Sequence, residues 1–330
     1  MTVSSLHKKK ILNEVGVFYQ KIDLNDTTDK KGLILFFNQE EIKCINVLDN
    51  GTTEDIEIVE AKYATDFNMR NHGIIDESVL QERTVTIIGL GSGGSPTVLD
   101  LVRCGVVNFN LIDFDTVNLS NLCRSVYDLT DIGRNKTEAI VEKVLDINPF
   151  VNINIYEEDI LEMNHEKLLK IIDSSDLIIE ATDNVKSKIL INGLAYHSKA
   201  VLYPSVYDLG KGGDVLITMP GLPCFECVFR SIMNQMKEVK KGDWDYSTGQ
   251  AKPMPALIAD IQIVVARSVK LALAILTADE EDSLFDKITE PGCSILFIGN
   301  EKNTFIFEKP FQEVWAETEI DPNCSCQSLM

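Results

Sequence analysis

Basic residues are scarce in this 330-residue sequence: 31 lysines and arginines stand against 51 aspartates and glutamates, for a net charge of −20. A surface that negative repels phosphate backbones and anionic lipid headgroups. Nucleic acid and membrane surfaces are therefore excluded as partners unless the charge reverses locally. Histidine is nearly absent. His7, His72, His165 and His197 fall in no motif, so a histidine-based triad or a His-rich metal site has no support, and no G-x-S-x-G nucleophile turn is present. Long apolar runs are missing too. The most apolar helical stretch, 261–276, is broken by Arg267 and Lys270 and is too short to span a bilayer. The opening MTVSSLHKKKIL has lysines but no apolar core behind them, which argues against a secretory signal. The expectation is a soluble, cytoplasmic protein, in which eight cysteines do not form a disulfide framework.

Hydrophobic residues make up 45% of the chain and charged residues 25%, enough for one large domain or one large and one small. Residues 1–68 read as a small strand-rich module of unknown role, and 69–330 as the main domain. Within the module a helix is expected near 8–14 and strands over 32–37, 42–47 and 55–60, with a turn at Asp49-Asn-Gly51. From Thr84 the pattern becomes regular. Strands over 84–88, 107–112, 151–156 and 176–180 alternate with helices that end near Cys104-Gly105 or cover 136–146 and 161–174. Such alternation gives a Rossmann-like, doubly wound, mostly parallel α/β sheet covered on both faces. The polar stretch 234–255 has no clear period and is long for a loop.

Gly89-Leu-Gly91-Ser-Gly-Gly94 follows the first of these strands and opens a helix. The glycines permit a tight turn, and backbone N–H groups at the helix start favour an anion. Asp113, at the end of the next strand, stands where an acid accepts ribose hydroxyls. By itself this pattern favours NAD or FAD.

The following residues redirect the reading. Leu111-Ile-Asp-Phe-Asp-Thr-Val-Asn-Leu-Ser-Asn-Leu-Cys-Arg124, Asp131-Ile-Gly-Arg-Asn-Lys136, Ala181-Thr-Asp-Asn184 and Pro223-Cys-Phe-Glu-Cys227 together resemble the ThiF/MoeB/HesA family of ubiquitin-activating-type adenylyltransferases. The resemblance covers roughly 69–330. It implies ATP and Mg²⁺ as cofactors, with Gly89, Gly91, Ser92 and Gly94 lining the phosphate turn and Asp113 on the ribose. It implies that Asn121, Arg124 and Lys136 contact the phosphates and that Asp183 holds Mg²⁺ with Asn184 beside it. Arg70, in Phe67-Asn-Met-Arg-Asn71, matches the last arginine of a family segment that enters the neighbouring subunit's site, which implies a homodimer. The residue types suit the chemistry. A carboxylate needs no general base to attack the α-phosphate, only positioning and positive charge to offset the triphosphate. Taken singly, Arg124 and Lys136 read as surface charges and Asp183 as a helix cap.

Cys44, Cys104, Cys123 and Cys293 stand alone and read as small buried side chains. Cys224-x-x-Cys227 and Cys324-x-Cys326 are two close pairs, and four thiolates can hold one structural Zn²⁺. The resemblance implies that two such pairs tie the C-terminus to the sheet domain. In this chain the second pair is one residue shorter than the family's, and Cys293 is an alternative to one tail ligand. Family members that form a thioester carry a cysteine in the crossover loop; the matching stretch, 231–257, has none. The expectation is an enzyme that stops at the acyl-adenylate or passes it to an amine or thiol. Its substrate would be the C-terminus of a ubiquitin-like protein or of a small peptide. A microcin-C-type peptide-tailoring enzyme is the alternative within the family, an NAD-dependent oxidoreductase the alternative outside it, and a dead scaffold a third possibility.

Overall fold

The computed structural model describes residues 32–37, 42–47, 52–56, 67–236, 255–279, 283–324 and 326. The chain divides into two compact units, Met1–His72 and Gly73–Met330. In the first, β1 (Gly32–Phe37), β2 (Ile42–Val47) and β3 (Thr53–Ile56) form an antiparallel sheet in the order β1-β2-β3. The third strand begins two residues earlier than its alternation suggests. The expected helix near 8–14, the turn at 49–51 and residues 57–60 lie outside the described residues.

The second unit is built on an eight-stranded sheet. Its strands are β4 (Thr84–Ile88), β5 (Asn108–Ile112), β6 (Asn152–Tyr156), β7 (Leu177–Glu180), β8 (Ala200–Tyr207), β9 (Gly212–Thr218), β10 (Cys293–Gly299) and β11 (Gln312–Glu317). They lie in the order β11-β10-β9-β8-β7-β4-β5-β6. Pairing is parallel from β8 through β7, β4 and β5 to β6, and antiparallel from β8 through β9 and β10 to β11. The order reverses between β4 and β7, so the strand ends there open a crevice where ligands of such sheets bind.

The helices are α1 (Glu77–Glu82), α2 (Gly94–Arg103), α3 (Lys136–Ile147), α4 (His165–Asp173), α5 (Val185–Ala195), α6 (Phe225–Met236), α7 (Ile258–Leu276) and α8 (Leu284–Ile288). Strand alternation sends side chains to two cores. Val85, Ile87, Leu111, Ile179 and Val215 pack with Val98, Ile140 and Val264 of α2, α3 and α7. Ile88, Ile112, Ile178 and Val201 pack with Leu168, Ile191 and Val228 of α4, α5 and α6. Three helices thus cover each face, as in a doubly wound sheet. Every residue of β7 is buried, which explains its unbroken apolar run before Glu180.

Polar side chains cross the second face as a ladder. Asn154 donates to Asn110 (3.0 Å), Asn110 to Thr86 (3.1 Å), and the Thr86 hydroxyl meets that of Ser175 (2.6 Å). Pro204 in β8 has a similarly local explanation. Pairing with β7 ends at Leu202, so from Pro204 onward β8 pairs only with β9 and the missing N–H costs no bond on the β7 side.

Candidate active site

The glycine turn lies at the strand-order reversal. Gly89 has φ +86°, open to glycine, and its N–H donates to the Ile112 carbonyl at 2.8 Å. A Cβ on Gly94 would lie 1.8 Å from the Gly89 carbonyl oxygen, so the turn cannot close over a larger residue. Nothing lies within 4 Å of a Cβ placed on Gly91 or Gly93, which leaves the outer side of the turn open. Gly93 caps α2, and Pro96 in its first turn needs no N–H partner.

Asp113 follows β5 and is 8% exposed. Its carboxylate accepts the Leu90 N–H at 2.6 Å and the Asp115 N–H at 2.8 Å, tying the glycine turn to the β5 end. Burial pushes its carboxyl above the ordinary range, against the pull of the Lys136 ammonium and the two N–H groups. Lys136 opens α3, and its Nζ is 2.7 Å from Asp115 and 3.7 Å from Asp113. The ammonium is therefore held inside the crevice by two carboxylates; it is buried and does not project as a surface charge. Tyr127 closes this corner by donating to the Leu90 carbonyl at 2.8 Å, and burial raises its phenol well above the ordinary value.

Asn121 and Arg124 ride on the excursion from Val117 to Arg134. Its base is closed by the Val117 N–H to the Arg134 carbonyl (2.8 Å) and the Gly133 N–H to the Val117 carbonyl (2.9 Å). Asn121 accepts the Asn118 N–H at 2.8 Å through Oδ1, and its carbonyl accepts the Arg124 N–H at 3.1 Å. The Arg124 side chain is half-buried. Cys123 between them is exposed. This corrects the expectation of a small buried side chain, as do Cys104 and Cys293, each partly exposed. Short-range turn closure, rather than packing, decides the position of Cys123.

Asp183 sits at the apex of the turn between β7 and α5. It is exposed and has no hydrogen bond or ion pair among the described residues. The helix cap is Asn184 instead, which accepts the Lys186 N–H at 2.9 Å. The Asp183 turn rests on the glycine turn: a Cβ on Gly89 would be 3.0 Å from Thr182 Cγ2 and 3.1 Å from the Ala181 carbonyl carbon. An exposed carboxylate with no hydrogen bond or ion pair among the described residues, on a turn packed against the glycine turn, suits a hard cation that keeps oxygen ligands from a bound phosphate. Arg70 is exposed and belongs to the first unit.

The helix starts carry a second signal. Six of the eight helices among the described residues have an acid in the first turn: Glu77, Glu138, Glu166, Glu226, Asp260 and Asp286. The two without one are α2 and α5, which open at the glycine turn and at the Asp183 turn. Acids ordinarily stabilise helix N-termini. Asp183, directly before the Asn184 cap, already places a carboxylate at the start of α5, so the dipole left for an external anion is that of α2.

Away from this crevice, Cys224, Cys227, Cys324 and Cys326 are all buried, with their sulfurs within 4.8 Å of one another. Sγ separations are 3.6 Å for Cys224–Cys227 and Cys224–Cys324, and 3.7 Å for Cys227–Cys326. A tetrahedron with Zn–S bonds of about 2.3 Å has edges of about 3.8 Å, so the shorter tail spacing still completes a metal-sized set. Cys293, which opens β10, lies outside it. That removes it as the substitute ligand.

Sequence reasoning gave no role to several groups found near the crevice. Asp115 braces Lys136 and Tyr127 braces the turn. Glu180, Lys188 and Asp214 form a cluster on the second sheet face, with Lys188 Nζ 3.6 Å from Glu180 and its charge lowering the pKa of Asp214. Asp214 keeps part of its surface toward solvent, yet protein crowded around its carboxyl pushes its pKa up to about 7 against that pull. One signal was available: an acid ending a fully apolar strand, Leu177-Ile-Ile-Glu180, must be paired.

The ThiF family model matches residues 63–286. The chain belongs to the ThiF family. It is 32% identical over 149 residues to the probable adenylyltransferase/sulfurtransferase MoeZ of Mycobacterium tuberculosis, covering 44% of this chain and 37% of that protein. It is 26% identical over 246 residues to the adenylyltransferase and sulfurtransferase MOCS3 of Aedes aegypti, covering 73% of this chain and 54% of that one. The match thus spans about a third to a half of these relatives' length. Among solved structures, E. coli MccB with AMPCPP and MccA superposes with a TM-score of 0.59 at 17% identity, over 79% of this chain and 74% of that one. PaaA does so with a TM-score of 0.59 at 19% identity, over 79% and 85%. At such identities these likenesses concern the fold, and they agree with the Rossmann-like α/β architecture. No helix among the described residues is long and apolar enough to cross a membrane.

Proposed function

We propose that this ThiF-family chain is a Mg²⁺-dependent adenylyltransferase that activates the C-terminal carboxylate of a ubiquitin-like protein or peptide as an acyl-AMP. The observation that carries the reading is two helix starts brought together at the glycine turn, that of α2 with no acid and that of α5 preceded by Asp183, an exposed carboxylate with no hydrogen bond or ion pair among the described residues. An oxidoreductase binding a dinucleotide needs the first of these helix starts but has no use for Asp183 or for the buried Lys136.

In this reading the N–H groups of Gly91 and Ser92 cradle the triphosphate, and Asp113 accepts the ribose hydroxyls. Lys136 leaves Asp115 for the phosphates, where Asn121 and Arg124 add a donor and a charge. Asp183 and the capped Asn184 turn hold Mg²⁺, which supplies charge to offset the triphosphate. The substrate carboxylate oxygen attacks the α-phosphorus; that P–O bond forms as the bond to the β-phosphate oxygen breaks, and pyrophosphate leaves. No proton moves, so the site needs no general base. Arg70 would reach the site of a second copy in a homodimer, and the four cysteines would hold a structural Zn²⁺.

The relatives named above are adenylyltransferases by name, and MccB was solved with MccA and an ATP analogue. These names support a protein or peptide carboxylate as substrate. The peptide-tailoring variant is favoured by the separate strand unit β1–β3, which a minimal activating domain does not require. Nucleotide titration tests the class: Mg-ATP should bind, and Asp183→Ala should remove the Mg²⁺ requirement together with most of the affinity. Binding of NAD in preference to ATP would contradict the reading.

A further inference from the structure

We propose that Glu180, held by Ser187 and Lys188, is the positioning residue for the turn that carries Asp183, an inference that rests on the reading of Asp183 as the metal-binding carboxylate. Glu180 is the last residue of β7 and is completely buried. Its Oε1 accepts the Ser187 hydroxyl at 2.7 Å and the Thr182 hydroxyl at 2.5 Å, and Lys188 Nζ lies 3.6 Å from its Oε2. Thr182 in turn accepts the Asn184 N–H at 3.2 Å. One carboxylate therefore grips the turn before its apex, through Thr182, and after it, through the first turn of α5. Asp183 is the apex and is itself unbonded among the described residues.

Packing alone does not account for an acid at this place. The neighbours of Glu180 on the same sheet face, Ile88, Ile112 and Ile178, are aliphatic. An aliphatic side chain there would avoid the desolvation that raises the Glu180 pKa. A carboxylate supplies what an aliphatic residue cannot: two hydrogen bonds that fix where the turn lies against Gly89. Lys188, which Glu180 shares with Asp214, offsets part of its charge. Groups that orient a metal ligand typically change metal affinity by about 10- to 100-fold when removed.

The test uses the full chain and compares ATP affinity in Mn²⁺ with ATP affinity in EDTA by calorimetry. The spin-resonance spectrum of bound Mn²⁺ reports the metal's surroundings. Glu180→Gln should lower the Mn²⁺-dependent gain in affinity about tenfold and alter that spectrum, while ATP affinity in EDTA stays within about twofold of wild type. Ser187→Ala, which keeps the charges and removes one bond, should lower the gain about threefold; it decides the matter alone if Glu180→Gln does not fold. A wild-type metal gain in both variants overturns the proposal. Asp183→Ala separates the two levels. Loss of the metal gain in that variant, with none in the Glu180 and Ser187 variants, overturns only the positioning role, whereas a wild-type gain in Asp183→Ala removes the reading beneath it.

Discussion

The parallel half of the sheet, β4 to β7, and the antiparallel half, β8 to β11, are built by different logic. In the parallel half each strand leads into the next helix, and the site residues fall within a few positions of the strand ends: Gly89 to Gly94 after β4, Asp113 after β5 and Asp183 after β7. In the antiparallel half the chemistry is assembled from afar. Cys224 meets Cys324 across a hundred residues of sequence, and Asp214 on β9 shares Lys188 with Glu180 on β7. The first half gathers the candidate site from short motifs; the second joins segments far apart in sequence, where a local pattern marks each cysteine pair but not the partner that it meets.

Breaking the tie should give the largest effect. A strong chelator should remove about one zinc per chain, measured by elemental analysis, and should cost several kcal/mol of stability, read as a large fall in Tm. Tail and sheet would come apart first. If the metal-free protein melts like the untreated one, the four thiols are bystanders. Next comes the glycine turn. Gly94→Ala places a methyl 1.8 Å from the Gly89 oxygen and should cost about 3 kcal/mol in chemical denaturation, with ATP binding lost; near-neutral behaviour would show that the turn can open. Asp183→Ala should lower the rate of acyl-AMP formation about 100- to 1000-fold, with stability changed by under about 1 kcal/mol, because the side chain is exposed and makes no hydrogen bond or ion pair among the described residues. Equal losses of activity and stability would blur the division between site and frame.

The smallest effect concerns pH. The carboxyl of Asp214 ionises near pH 7 when folded and near its ordinary value when unfolded. Between roughly pH 4 and pH 7 the folded chain therefore holds the extra proton, and stability from this group falls as pH rises through that window. Asp214→Asn should flatten the slope of Tm against pH between 5 and 7 and should stabilise the protein at pH 8. A slope unchanged by the substitution would move the titration to another group.

Much of the parallel half was legible from sequence because its determinants are local. The apolar runs before Gly89 and Ala181, the helix stop at Cys104-Gly105 and the start at Lys136 each depend on a few neighbouring residues, and the observed bounds shift by only a few positions. The helix expected over 161–174 starts instead at His165, after Asn164 caps it by accepting the Lys167 N–H. The strands β8 to β11 went unread for a physical reason. β8 contains Pro204, tolerated only because β7 has ended beside it, and β11 is an edge strand with little buried surface. The roles expected of Asn121, Arg124, Lys136 and Asp183 came from the family resemblance, which says nothing of their present partners. That Lys136 lies between Asp113 and Asp115, and that Asn184 rather than Asp183 caps α5, depends on side-chain geometry that spacing does not carry. The cysteine set was legible as two pairs; only the fold shows that a three-residue tail spacing closes the tetrahedron.

The most direct test of the central claim is Mg²⁺-dependent exchange of labelled pyrophosphate into ATP. It would be run with a panel of C-terminal peptides and Gly-Gly-ending ubiquitin-like proteins, beside the same panel with blocked C-termini. The account predicts exchange that requires a free C-terminal carboxylate and disappears in Asp183→Ala. Exchange indifferent to the carboxylate, or wild-type exchange without Asp183, would contradict it.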